Sequence, residues 1–322
     1  MTKLEALKWK PMWVTHLGCL QGCLNYLGVH VSDAWLFGAS GHAFILNMHE
    51  VVCPSGPTAW DTERMPALFE NVGCELDGVS GHKSQDDFPD KQKMAWEKVR
   101  SALESDFPCY GWELDIPEFY VIHGYDDTGY YFNGPLCDSG KGPLPWRKLG
   151  DTEIGALEVI VVRPGKPASP EQTVRQALNF ALEHSGSPEK WIFPKYQAGL
   201  AGYDLWIEAL LENKAHGFGT AYNAVVWAEC RRFAADFLRE AKARLDGSLH
   251  PLFDEAILHY TEVSRNLGKV SETFPFLNIP DEVKEANMKD ESRRRRAVEA
   301  LTAGRSAEGK GLRVLKQIAA EL

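Results

Sequence analysis

Pro117-Glu118-Phe119-Tyr120-Val121-Ile122-His123-Gly124-Tyr125-Asp126-Asp127-Thr128-Gly129-Tyr130-Tyr131-Phe132-Asn133-Gly134-Pro135 is the stretch that decides the fold. Two runs rich in aromatic and β-branched residues flank an Asp-Asp-Thr-Gly turn, the pattern of an antiparallel hairpin. Around it, 108–114 reads as a strand, and so does 154–163, whose centre is Leu157-Glu-Val-Ile-Val-Val162. Residues 42–48 read as a buried strand. Helical patterns cover 17–27, ended by Gly28, and 33–37, capped by Ser32-Asp33 and stopped by Gly38. Two further helices are expected over 62–72 and 91–104.

The second half changes character. After Arg163-Pro-Gly-Lys-Pro-Ala-Ser-Pro170, a Pro/Gly-rich connector, nearly everything is helical. Helices are expected over 170–184, 200–211, 220–245, 251–267 and 280–288, with one or two more over 297–322 around Gly304, Gly309 and Gly311. This gives two domains, 1–165 and 166–322. The basic run 293–296, beside acidic neighbours, reads as a solvated helix face.

Composition narrows the function. The 322 residues are 44% hydrophobic and 25% charged, enough for a packed core. A formal charge of −10 argues against nucleic acid or an anionic membrane as main partner. There is no apolar signal core at the start and no run of about 18 apolar residues, so no membrane span is expected. Seven cysteines, an odd number, do not make a disulfide framework, and a reducing cytoplasm is the expected location. The ten tryptophans point to aromatic packing or a lined pocket. No cofactor and no metal is indicated. His16, Cys19 and Cys23 have no obvious fourth ligand and match no structural-zinc spacing.

Cys19 and Cys23 lie four apart on one face of the first helix. A thiol at a helix start is favoured as thiolate by the dipole and the free amides. If Gly18 is the cap, Cys19 opens the helix. If Thr15 is the cap, Cys19 sits a full turn inside. A small apolar role for both cysteines is the alternative.

Three pieces together resemble the N-terminal domain of the butirosin biosynthesis protein H family: 31–38 (Val-Ser-Asp-Ala-Trp-Leu-Phe-Gly) after a Leu-Gly step, 107–118 (Phe-Pro-Cys-Tyr-Gly-Trp-Glu-Leu-Asp-Ile-Pro-Glu), and the hairpin. That domain is similar in turn to papain-like peptidases that trim leader peptides. The resemblance spans residues 10–163. It implies an α+β protein with a papain-like (cysteine-proteinase) N-terminal domain built on an antiparallel sheet, followed here by a C-terminal α-helical bundle. It also implies acyl transfer from a carrier thioester, or amide hydrolysis. Glu118 stands where the pattern has its histidine, and Asn133 matches the third catalytic member. The pattern's spacing counted back from Gly28 lands near Thr15 rather than at Cys19.

The leading expectation is thus a thiol-dependent acyltransferase or amide hydrolase, with Cys19 as nucleophile, Glu118 as base or orienter and Asn133 as orienter. Thr15, His16, His42, Trp112, Tyr120 and Tyr203 are candidates for substrate binding. A glutamate in an apolar site can be raised toward the range of a working base. The alternative is a catalytically silent protein binding a small molecule or peptide in an interdomain cleft. The expected partner is a small-molecule, acyl-thioester or peptide substrate.

Overall fold

In the computed structural model, which describes residues 2–62, 65–186 and 188–322, the hairpin is closed by Asp126. Its Oδ1 accepts from the amides of Thr128 (2.8 Å) and Gly129 (3.2 Å), and its Oδ2 accepts from the Tyr131 hydroxyl at 2.7 Å. A carboxylate that takes two backbone donors reproduces a turn with its own side chain.

In chain order the main elements are β1 (Thr2–Lys3), α1 (Thr15–Tyr26), α2 (Asp33–Ala39), β2 (Asn47–His49), α3 (Met65–Glu70), β3 (Cys74–His82), α4 (Phe88–Glu104), β4 (Cys109–Trp112), β5 (Phe119–Tyr125), β6 (Gly129–Asn133), β7 (Lys141–Pro145) and β8 (Ala156–Pro164). There follow α5 (Pro170–Gly186), β9 (Tyr196–Ala198), α6 (Gly199–Leu211), α7 (Gly217–Arg244), α8 (His250–Thr273), α9 (Asp281–Met288) and α10 (Glu291–Glu321). The protein is therefore mixed α+β, with an antiparallel sheet and C-terminal helices. Among the described residues no helix is long and apolar enough to cross a membrane. Positions 63 and 64 of the helix expected over 62–72 lie outside the described residues.

The chain divides into two compact units, Met1–Ser32 with Phe69–Pro167, and Asp33–Leu68 with Ala168–Leu322. The later crossing falls inside the Pro/Gly-rich connector. The boundary expected from sequence left 33–68 in the first domain, whereas its contacts are with the helices. A buried guanidinium accounts for the difference. Arg231 of α7 donates from Nη1 to the carbonyls of Ala43 and Ile45, each at 2.8 Å. β2 also pairs with β9 rather than joining the large sheet. The expected strand over 42–48 is instead a single 3-10 turn, His42–Phe44, followed by β2.

The first unit is built on an antiparallel sheet in the order β3-β8-β4-β5-β6-β7. β5 pairs with β4 over 119–122, and with β1 at 124–125 beyond a bulge. α1 packs on β5, β4 and β8. The residues ahead of α1 lie directly on it. A Cβ at Gly22 would stand 2.2 Å from the Lys8 carbonyl oxygen, and one at Gly18 would stand 2.4 Å from that of Lys10. Gly22→Ala should therefore cost roughly 1–3 kcal/mol, because backbone must move. Gly268→Ala in α8, where nothing lies within 4 Å, should add up to about 1 kcal/mol through helix propensity. Urea denaturation of the two variants checks both signs, and a stabilising Gly22→Ala would refute the close crossing.

In the second unit α7, α8 and α10 pack together, with α2 on α7 and with α5 and α6 on α10. Gly38 does not stop α2, which runs on to Ala39. The missing Cβ makes room for the Phe237 ring, which would stand 1.9 Å away.

Candidate functional site

Helix α1 begins at Thr15, after Val14, which has φ −83° and gives no side-chain cap. Thr15 Oγ1 donates to Glu118 Oε2 at 2.5 Å and accepts from the Phe119 amide at 3.1 Å. The hydroxyl thus gives and takes at once, on a residue that is 7% exposed. It joins the start of α1 to the start of β5.

Glu118 is held by its own backbone as well. Its amide donates to Ile116 at 2.6 Å, and its carbonyl accepts from the Glu113 amide at 2.8 Å. Glu113 occupies the left-handed region (φ 56°) and is buried, and its Oε2 accepts from the Thr152 hydroxyl at 2.7 Å. The turn before β5 therefore fixes where the Glu118 carboxylate points.

Cys19, the expected nucleophile, lies in the interior of the first unit. It lies a full turn inside α1 and is 0% exposed. Burial pushes its thiol well above the ordinary value, and the nearby Glu118 and Cys137 push the same way. A sulfur so placed is a neutral thiol in the core. Cys23, Cys74 and Cys109 are likewise buried and raised chiefly by desolvation, so the first unit's interior uses cysteine as a small apolar residue.

Asn133 does not orient Glu118 by the contacts it makes. Its Oδ1 accepts from the Trp9 amide at 2.8 Å, and its Nδ2 donates to the Leu7 carbonyl at 3.2 Å. Both ends of the amide hold the segment that crosses α1 at Gly18 and Gly22.

The aromatic candidates in this unit are packing groups. The His16 ring stacks on Phe119 (centroids 4.4 Å apart), and its Nε2 lies 2.9 Å from the Tyr110 hydroxyl. Burial lowers its pKa to about 4, so the imidazole is neutral near pH 7. Trp112 is buried edge-on against Phe119 at 5.1 Å. The Tyr120 hydroxyl accepts from the Ile116 amide (3.3 Å) and donates to the Pro135 carbonyl (3.4 Å), bracing the ends of the hairpin.

Thr15, His16, Cys19, Trp112, Glu118, Tyr120 and Asn133 thus share the first unit, while His42 and Tyr203 belong to the second. His42 is buried, with its ring 5.5 Å from that of Trp60. The Tyr203 hydroxyl donates to Glu308 Oε2 at 3.2 Å, and Arg231 Nε reaches the same oxygen at 2.7 Å. Sequence reasoning missed this buried ion pair. Its available signal was an arginine inside the apolar face of the longest well-marked helix. Among the described residues no three His, Cys, Asp or Glu side chains gather so as to hold a metal ion.

Chemically, the Thr15–Glu118 pair differs from a thiol–imidazole pair in both members. An aliphatic alcohol is a far weaker acid than a thiol, and a carboxylate is a weaker base than imidazole. The hydrogen bond is a stable ground-state contact with little drive for proton transfer. No family model matches the chain, and a search of the curated proteins finds no match.

Proposed function

We propose that this chain is a catalytically silent papain-like protein that binds a small molecule or peptide. In this reading Thr15 and Glu118 occupy the places where a thiol and an imidazole work in papain-like enzymes. The observation that carries it is the 2.5 Å Thr15–Glu118 hydrogen bond at the start of α1, closed by the Phe119 amide at 3.1 Å. A hydroxyl committed on both sides is poorly disposed to attack a carbonyl. The only nearby sulfur on α1's first two turns, Cys19, is buried. Asn133, spent on Trp9 and Leu7, adds no orienting contact.

The test follows covalent intermediates. The folded protein is incubated with short acyl thioesters of N-acetylcysteamine and with fluorogenic peptide amides, and its intact mass is followed. The expected result is no acyl adduct and no turnover above the buffer rate. The double variant Thr15→Cys/Glu118→His should in contrast become alkylated by iodoacetamide at position 15, because a thiol at a helix start beside an imidazole ionises readily. An acyl adduct on Thr15 or Cys19 of the unaltered chain would overturn the reading in favour of a thiol- or hydroxyl-dependent acyltransferase or amide hydrolase.

A further inference from the structure

Where α9 lies against the start of α7, the second unit sets a cation among aromatic rings. Phe218 and Tyr222, four apart on α7, share one helix face, with ring centroids 6.4 Å apart and planes 16° from parallel. Phe276, from the segment between α8 and α9, closes on both, at 5.2 Å from Phe218 and 5.5 Å from Tyr222. Lys284 Nζ lies over two of the rings, 4.3 Å from the centre of Phe276 and 4.9 Å from that of Phe218. Both distances fall within the ~6 Å reach of cation–π attraction.

A primary ammonium is a poor match to these surroundings. Lys284 is buried, yet a lysine charge is compact, strongly hydrated and carries three N–H donors. Among the described residues its one hydrogen bond goes to Asp281 at 2.9 Å, and that carboxylate is itself exposed. Ring faces attract the charge without accepting the remaining N–H groups as water does. A quaternary ammonium has no N–H to satisfy and spreads its charge over methyl groups. It sheds water at lower cost and covers more ring face, so on the same rings it is the better occupant.

The element that carries the lysine is lightly held. Of the eight residues of α9, only Lys284 and Met288 are buried. It also touches α7 through Glu285, whose Oε1 accepts from the Phe218 amide at 3.0 Å, and through the Lys284 carbonyl, which would stand 2.4 Å from a Cβ at Gly217. A short helix with two buried side chains belongs to the part of a fold that opens locally. Phe218 and Phe276 are half-buried, so solvent reaches their edges.

We propose that Phe218, Tyr222 and Phe276 form a binding site for a quaternary ammonium group of the kind choline carries, and that Lys284 is its internal competitor. The chain closes the site with its own cation, and the ligand enters as α9 lifts and the lysine passes into solvent. The proposal stands apart from the reading of Thr15 and Glu118, which lie in the first unit, and either fails without the other.

The test is calorimetric titration of the folded full chain with choline chloride. Sodium chloride at matched ionic strength is the blank, and 3,3-dimethyl-1-butanol, choline's neutral isostere, is the control. Choline should bind the unaltered chain, and should bind Lys284→Ala roughly tenfold more tightly because no tethered cation competes. The alcohol should bind that variant roughly tenfold more weakly than choline, having its shape without its charge. Phe276→Leu added to Lys284→Ala should abolish the choline signal. Lys284→Gln gives the same comparison if Lys284→Ala does not fold. Hydrogen exchange needs no variant: saturating choline should speed amide exchange across 281–288 of the unaltered chain and leave α8 protected. Choline-reversible sedimentation with phosphatidylcholine vesicles would assign a lipid headgroup as the source of the ligand, and choline binding without it would assign a free small molecule. No choline binding to the unaltered chain would overturn the proposal. So would equal affinity for choline and the alcohol, no gain on removing the lysine charge, or unchanged exchange at 281–288.

Discussion

Replacing Arg231 with leucine is expected to remove about 3–5 kcal/mol from the stability of the helical unit, the usual cost of breaking a buried ion pair from one side. Arg231 is 0% exposed and Glu308 is 1% exposed. The guanidinium satisfies one carboxylate oxygen from Nε and two main-chain carbonyls, those of Ala43 and Ile45, from Nη1. Leucine would strand all three acceptors. The Glu308 carboxylate would keep the Tyr203 hydroxyl at 3.2 Å but lose its countercharge. Arg231→Lys should recover little, because an ammonium on a flexible stem cannot reproduce a planar fork that reaches a carboxylate and two carbonyls together. The double change Arg231→Met/Glu308→Leu should be milder than Arg231→Leu, since the stranded charge is gone and only the two carbonyls remain unsatisfied. Equilibrium urea denaturation of the three variants measures this. A loss below about 1 kcal/mol for Arg231→Leu would mean that the pair does not hold segment 42–46 to the helices.

That arginine also marks the limit of what the sequence discloses. The hairpin was legible because its cause is local. Asp126 builds the turn from its own side chain, and the arms carry the right residues. The helices of the second half were legible for a similar reason, with Pro170 at the first position of α5 and clear apolar spacing in α7. Local signals failed where a distant group decides. Gly304, Gly309 and Gly311 read as breaks, yet α10 runs from Glu291 to Glu321 without interruption. A Cβ at Gly311 would meet the Tyr260 ring at 2.8 Å, so this glycine serves a close contact rather than a stop. β3 was not anticipated. It is an edge strand whose sequence, Cys74-Glu-Leu-Asp-Gly-Val-Ser-Gly-His82, buries mainly Cys74 and Val79 and so shows no alternating apolar face.

The candidate site divides the same way. The positions of Glu118 and Asn133 could be read from the hairpin, but not their partners. Glu118 is reached by Thr15 across 103 residues and Asn133 by Leu7 across 126. The start of α1 was undecided because Val14 leaves no capping signature. That single choice placed Cys19 either in the first turn or in the core.

Acidification should weaken the helical unit through His184, with an effect of about 2 kcal/mol by pH 5. This histidine is 1% exposed, lying edge-on to Trp60 (5.5 Å) and beside Phe180 (6.0 Å). Burial, and then the positive charge of Arg231, lowers its pKa from 6.5 to about 4. The sign follows from which state binds the proton first. Above pH 6.5 the imidazole is neutral in both folded and unfolded chains and contributes no slope. As pH falls below 6.5, the unfolded chain takes up a proton that the folded chain refuses until about pH 4, so unfolding gains about 1.4 kcal/mol per pH unit across that window. Other groups titrate over the same range, so the informative quantity is the difference between the unaltered chain and His184→Leu, whose side chain stays apolar at every pH. With each variant referenced to its own stability at pH 7.5, His184→Leu should lose about 2 kcal/mol less than the unaltered chain by pH 5. His16 is lowered to about 4 by burial in the first unit, and His16→Leu should flatten that unit's acid response in the same direction. Urea midpoints followed by tryptophan fluorescence between pH 7.5 and 5 give the slopes. Parallel curves for His184→Leu and the unaltered chain would show that the imidazole is already protonated in the folded state, paired with a group that offsets its desolvation. The carboxylate of Glu308, which shares Arg231 with it, would then be the first group to replace in the search for that partner.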